Sequence, residues 1–505
     1  VNVVEKIIFI SIFIVYFLSA SGLYNSMDAT QYFTAESLIN NFHPAIDNHE
    51  KSPHYFVFPD IFYYQNHTFG ARGFLNSFLN IPIHIGSHVT KGAFLTDSFP
   101  KEATKSPTFK HELSVTSFYV LYTVLGIYYL NKTLLSTTKN SFLSLLTSIF
   151  VAFGTYNWKY SSSYIRQGMI VFIIGFGMYT ATAFAKGKDR NSIQKLLILL
   201  SLSYGIDTPL FAGILLFLCF YIAVNVFRNH PIDIPKKGVV AALLILLIQI
   251  SLNYAWYGNI FSSQTFRQPT VKRAVGEKSK LVWISTPLYP TIREVLFSYD
   301  KIHPSSFRNF SSLPDEIKTF ASLKYAKQYT FYGLFIVSPF LLYFVFSFLD
   351  TKTVKKYNWV YLFCLIVSIT GIMLNSKVLI FWGGNQYDIR YFYPYSIPLA
   401  FLAAVGVNSL ITLKKLRFLS VLFYIVLGLF SIFMGWLGVL NMYKPSLSGE
   451  RKIWVEAKTA NILNSYSLSE LINHTFPNLI NLPIALLSTA LLMLAFKILT
   501  YKYSE

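Results

Sequence analysis

The chain is built around a series of long apolar runs, and the positive charge between them falls on alternate turns. The runs lie at 7–24, 113–130, 142–158, 165–184, 193–205, 209–227, 238–257, 331–349, 359–374, 395–412, 418–440 and 482–499. Most approach the roughly 17–25 residues that a bilayer-crossing helix needs. Charged residues make up only 13% of the chain and hydrophobic ones 53%, against about 25% charged in a soluble domain. This pattern predicts an all-α polytopic membrane protein, one integral domain over 1–505 with about twelve transmembrane helices. The stretch Leu18-Ser19-Ala20-Ser21 could pass for a leader cleavage site. With so many runs following, an uncleaved anchor is expected.

The net charge of +20 does not require a nucleic-acid partner, and none is expected, because membrane proteins collect lysine and arginine in cytoplasmic loops. With the N-terminus in the cytoplasm, eighteen basic residues in and beside the short turns fall inside, from Lys6, Lys132 and Lys139 to Lys497 and Lys502. Only four (Lys159, Arg166, Lys377 and Arg390) fall outside. Both termini are then cytoplasmic. The long hydrophilic loops at 25–112, 258–330 and 441–481, and the shorter one at 375–394, face outward. Loops of that length are usually functional. Cys219 and Cys364 sit inside apolar runs and read as packing residues.

The stretch Ser26 to Phe42 follows the first run at once. Tyr32, Ala35, Ile39 and Phe42 recur at helical spacing, which predicts a short amphipathic helix near the membrane surface. Asp28 has two readings there. A carboxylate at the edge of a low-dielectric region is a functional candidate. Asp28 followed by Gln31 also has capping-box spacing, so it could simply cap the helix. A second amphipathic piece is expected at 74–85. Seven of the ten histidines lie in this first outer loop: His43, His49, His54, His67, His84, His88 and His111. His84 and His88 have helical ligand spacing. However, Pro82 and Gly86 should disturb a helix, and no acidic or cysteine cluster completes a site. No metal is therefore assigned, and a divalent ion stays open with this pair as its candidate ligands.

No P-loop, Gly-rich nucleotide fingerprint or zinc-protease motif is present. An outer-face enzyme would have to draw an activated substrate from the membrane itself. Four pieces together resemble the GT-C class of membrane glycosyltransferases, similar to the protein O-mannosyltransferase and aminoarabinose transferase-like families. They are Asp28 with the helix after it; Asn253-Tyr254-Ala255-Trp256-Tyr257-Gly258-Asn259-Ile260-Phe261; Tyr332-Gly333-Leu334-Phe335-Ile336-Val337-Ser338-Pro339; and Trp382-Gly383-Gly384-Asn385-Gln386-Tyr387-Asp388-Ile389-Arg390-Tyr391-Phe392-Tyr393-Pro394. Ile260 stands where proline is usual in such chains, and Asp388 where glycine is common.

The resemblance implies transfer of a sugar from a polyprenyl phosphate to an acceptor hydroxyl, with inversion, at the outer leaflet of a prokaryotic plasma membrane. Asp28 would be the catalytic base. Asp60 would be a second acid of the same loop, or a plain loop carboxylate beside Pro59. Arg390, Arg166 and Lys377 would hold the donor phosphate, or else snorkel toward water. Glu36, Tyr391 and Asp388 would line the substrate cavity. The expected partners are the lipid-linked sugar, a lipid, glycan or protein acceptor, and membrane lipid. A non-enzymatic transporter of lipid-linked glycans is the rival. It would call for half-buried charges within the spans, which are nearly charge-free. A scaffold would need no acid near the head groups.

Overall fold

A computed structural model describes residues 3–23, 26–47, 61–70, 73–97, 99, 107–161, 163–164, 166–187, 189–229, 234–258, 260, 288–297, 333–376, 391–412, 417–440 and 467–502. Among the described residues the regular structure is helical except for one hairpin. Its first part runs α1 (Val3–Leu18), α2 (Ser26–Asn41), β1 (Ile61–Tyr64), β2 (His67–Gly70), α3 (Leu75–Leu79), α4 (Ile81–Thr90), α5 (Phe109–Thr138), α6 (Ser141–Phe153), α7 (Asn157–Ser161), α8 (Gln167–Thr182), α9 (Asp189–Ile206), α10 (Thr208–Phe227) and α11 (Lys236–Tyr257). Long helices follow at Asn358–Ser376, Ser396–Thr412, Arg417–Leu440 and Leu482–Lys502.

A helix occupies each apolar run. Among the described residues, six are long and apolar enough to cross a membrane: α5, α10, α11, Asn358–Ser376, Tyr393–Thr412 and Arg417–Leu440. Shorter apolar helices cover Ser141–Phe153, Gln167–Thr182, Pro339–Phe348 and Leu479–Leu494. The segment Pro339–Phe348 is a 3-10 helix rather than the expected α-helix. The Tyr343 carbonyl leaves no room for a Cβ at Gly406 of the neighbouring helix.

Side-chain bonds sort the helix ends into two groups. At one end, Lys132 of α5 pairs with the buried Glu5 of α1 at 2.7 Å, and the Asn131 amide donates to the same carboxylate. The Tyr357 hydroxyl donates to the Ser136 carbonyl at 2.8 Å. At the other end, Asn478 donates to the Phe17 carbonyl and to the Ser117 hydroxyl. The Trp158 indole donates to Ser19. Each bond joins ends that the lysine and arginine pattern predicts on the same side.

The first long loop is not a surface appendage. Every described side chain of α2 from Asp28 to Leu38 is buried, so α2 is enclosed rather than lying on a surface with one apolar face. Its polarity is tolerated because the groups are bonded. The Asn76 amide donates to Gln31 Oε1 at 2.6 Å, Ser77 Oγ to the Gln31 carbonyl at 2.8 Å, and Thr34 to the Thr30 carbonyl. Helix α4 also runs unbroken through Gly86. Pro82 lies in its first turn, where a missing N–H costs nothing.

The antiparallel hairpin β1–β2 covers α2 and reaches the C-terminus of α11. There Gly258 ends α11 in the left-handed conformation, φ 62°, and the Tyr64 hydroxyl occupies the space a Cβ would need. The Tyr-Gly dipeptide read from the sequence thus has two local reasons for its glycine.

Candidate active site

Two carboxylates of α2 organise the buried polar interior of this region. Asp28 and Glu36 are eight residues apart, about 12 Å along the helix axis. Asp28 lies in the first turn of α2 and is fully buried. It is not the cap of a capping box, because the helix starts before it and the Gln31 side chain is taken by Asn76. It sits close enough to the Tyr119 hydroxyl to interact with it electrostatically. Tyr119 donates to Asn76 Oδ1 and packs against Tyr164, with ring centroids 4.9 Å apart. Tyr164 in turn touches Tyr32 of α2 and faces His84 Nε2 at 3.1 Å.

These packed tyrosines lead, through His84, to Glu36. Its Oε1 takes a hydrogen bond from His84 Nδ1 at 2.6 Å, and its Oε2 lies 3.3 Å from His88 Nε2. His111 Nδ1 lies 3.7 Å from Oε1 and accepts from the Tyr32 hydroxyl. The other nitrogen of His111 faces the His84 carbonyl at 3.2 Å. A carbonyl only accepts, so His111 carries its proton on Nε2 and Nδ1 is a lone-pair donor. The rings of His88 and His111 stack at 3.9 Å.

Burial pushes the Glu36 carboxyl up, but the hydrogen bond from His84 and the electrostatic pull of the His84, His111 and His88 rings more than offset it. Glu36 therefore lies below the usual carboxylate value and is ionised. Burial holds His84 below the ordinary imidazole value, against the opposing pull of Glu36. A neutral His84 donates from Nδ1 and accepts from Tyr164 at Nε2.

A second polar centre adjoins the first. Arg166, two residues beyond Tyr164, is paired with Asp207 at 3.2 Å and donates to the Ile206 carbonyl. Asp207 caps α10 and accepts from the Tyr395 hydroxyl at 2.8 Å. The Asn375 amide reaches the Tyr391 carbonyl at 3.4 Å. Lys159 is buried, lies over the Tyr160 ring, and Tyr160 stacks on Tyr393. The expected phosphate ligand Arg166 is thus engaged by a carboxylate that the sequence reading had not singled out.

Asp28, Glu36, His84, His88, Arg166 and Tyr391 belong to these two adjoining centres, while Asp60, Lys377, Asp388 and Arg390 lie outside the described residues. His111, Asp207 and Lys159 were missed as site residues. For His111 a signal existed: it opens α5 one residue before Glu112, and it was counted among the loop histidines. For Asp207, the Asp-Thr-Pro start of α10 reads only as a cap. No protein-family model matches the chain, and no curated protein matches it.

Proposed function

We propose that the chain is a twelve-span GT-C-type glycosyltransferase with cytoplasmic termini, moving a sugar from a polyprenyl phosphate to an acceptor hydroxyl at the outer face of the membrane. The observation that carries this reading is the position of Asp28. It is a fully buried carboxylate in the first helical turn after the first span, beside Tyr119, whose ring packs on Tyr164, two residues before Arg166. A carboxylate enclosed in a low-dielectric interior among aromatic hydroxyls is a functional-site candidate.

In the proposed step, Asp28 removes the proton of the acceptor hydroxyl. That oxygen bonds to the anomeric carbon, the carbon–oxygen bond to the lipid phosphate breaks, and the phosphate leaves with the electron pair. Arg390 and Lys377 are the proposed phosphate ligands. Tyr391 and Tyr393 begin the helix that follows Arg390. Tyr393 stacks on Tyr160 and the Tyr391 carbonyl is held by Asn375, which anchors that end of the segment. The charge pairs of the described helices lie near helix ends, Glu5 with Lys132 and Arg166 with Asp207. That favours an enzyme over a transporter with a charged midspan path.

The test is donor binding by full-length protein in detergent. Wild type, Arg390→Lys and Arg390→Ala are titrated with a labelled polyprenyl-phosphate sugar. Losing one partner of a desolvated charge pair costs about 2–5 kcal/mol, so Arg390→Ala should lose roughly 30-fold or more in affinity. Arg390→Lys, which keeps the charge but not the fork, should fall between. Equal affinities in all three would remove the phosphate clamp and with it the donor assignment.

A further inference from the structure

We propose that Glu36, His88 and His111 form a binding site for one divalent transition-metal ion of the zinc type. One ligand atom from each of the three lies within 4.8 Å of the other two. The Glu36 oxygens are already 3.3 Å from His88 Nε2 and 3.7 Å from His111 Nδ1. Around a tetrahedral zinc with bonds near 2.0–2.1 Å, neighbouring ligand atoms are about 3.3–3.5 Å apart. Closure therefore needs a tilt of the stacked His88 and His111 rings, not a backbone shift.

The surroundings match those of a ligand set. Metal-bound histidines almost always donate their second ring N–H to a carbonyl or carboxylate, which fixes the lone pair on the metal. His111 does this through Nε2 to the His84 carbonyl. The carboxylate is itself held, with His84 Nδ1 on Glu36 Oε1 and Tyr164 behind His84. His84 is not among the groups whose ligand atoms converge, although its spacing from His88 suggests a ligand; its Nδ1 is on Glu36 and its Nε2 faces Tyr164. Helix α4 uses the two histidines differently, His84 to orient Glu36 and His88 to complete the site.

Two imidazoles and one carboxylate suit zinc-type ions better than calcium or magnesium, which prefer oxygen. His88 is 38% exposed and gives the ion a path in. The Tyr32 hydroxyl donates to His111 Nδ1 and gives up that bond when the nitrogen takes the ion, remaining beside it. Three protein ligands with one position left is the pattern of a site that takes a further ligand. Metal binding here stands whether or not the chain transfers sugars.

The experiment uses full-length protein in detergent, stripped with chelator and dialysed against Zn²⁺, with Co²⁺ as the spectroscopic probe. Wild type should take up one equivalent of Zn²⁺ and give the visible absorption of low-coordinate Co²⁺. His88→Ala, at a partly exposed position, should weaken binding by at least tenfold while the melting temperature of the stripped protein stays unchanged. Glu36→Gln should do the same to binding. His84→Ala should weaken it roughly 10–100-fold, as expected when the group orienting a ligand is lost. His67→Ala, in the separate pair with Asp47, should leave it unchanged. Absence of Zn²⁺ uptake by wild type, or equal uptake by wild type, His88→Ala and Glu36→Gln, would overturn the site.

Discussion

Asn76 donates a hydrogen bond to Gln31 at 2.6 Å, and this one contact decides how Asp28 is read. Gln31 cannot turn back to close a capping box while it holds Asn76. Asp28 is thereby a buried carboxylate in the first turn of α2, at the favourable end of the helix dipole.

The first prediction follows from that position. Asp28→Asn keeps the shape and loses the proton acceptor. A positioned general base contributes roughly 10²–10⁴-fold, so transfer from a labelled polyprenyl-phosphate sugar should fall by about that factor. Wild-type transfer by the asparagine variant would limit Asp28 to a helix-stabilising role.

Acid should loosen the hairpin over α2. Asp47 accepts from the Thr68 amide at 2.5 Å and pairs with His67 at 2.6 Å. Burial pushes its carboxyl up, but the Thr68 and His67 bonds win and hold it below the usual value. Such a group stabilises the fold above its unfolded pKa, near 3.9, and that contribution is lost as pH falls through the lower folded value. His43 is also held low, by burial and by the nearby His67. A lowered histidine has the same sign, with stability falling as pH drops below about 6.5. Exchange at the Thr68 amide, corrected for its intrinsic rate, should therefore accelerate in two steps. Asp47→Asn should retain only the upper one. A pH-independent opening rate would contradict both assignments.

The helical architecture was legible because apolar length and lysine placement are properties of single segments. The polar interior was less so. Tyr32, Ala35, Ile39 and Phe42 at helical spacing suggested a surface helix, yet Tyr32 and Ala35 are buried while Phe42, just past the end of α2, is exposed. Hydrogen bonds from α3, α4 and α5 allow polar residues to be enclosed on every side, and no local pattern announces partners 45 to 80 residues away. His84 and His88 were visible as a pair. Their different roles were not, because these depend on Glu36, Tyr164 and His111 arriving from other helices. Pro82 looked like a helix breaker only while the first residue of α4 was unknown.

Helices α5 and α8 should tolerate no side chain at their crossing. A Cβ at Gly175 would run into the Gly126 carbonyl, and one at Gly126 would meet the backbone of Val171. Close backbone approach through small residues is a common way for membrane helices to associate. Gly175→Ala should cost about 1–3 kcal/mol, as overpacking does, read as a shift in unfolding of the detergent-purified protein. Gly86→Ala serves as control, since its Cβ would meet nothing within 4 Å. Equal stability of the two variants would show that the α5–α8 crossing is looser than described.

The last prediction separates two uses of Arg166. Its guanidinium is 15% exposed and pairs with Asp207, 5% exposed, which also bonds Tyr395. The pair therefore ties together the starts of α8, α10 and the helix at Ser396–Thr412. Breaking a buried pair from one side leaves an uncompensated charge and costs about 3–5 kcal/mol. Asp207→Asn keeps the cap on α10, because asparagine caps as well as aspartate, so its loss of stability reports the charge alone. Adding Arg166→Met removes the stranded charge and should restore part of the loss. Donor affinity in Asp207→Asn is the second readout. A structural Arg166 predicts no gain in polyprenyl-phosphate binding, while one freed to meet the phosphate would bind it more tightly. We expect a clear drop in stability without a rise in donor affinity. A rise, with stability unchanged, would return Arg166 to the phosphate clamp.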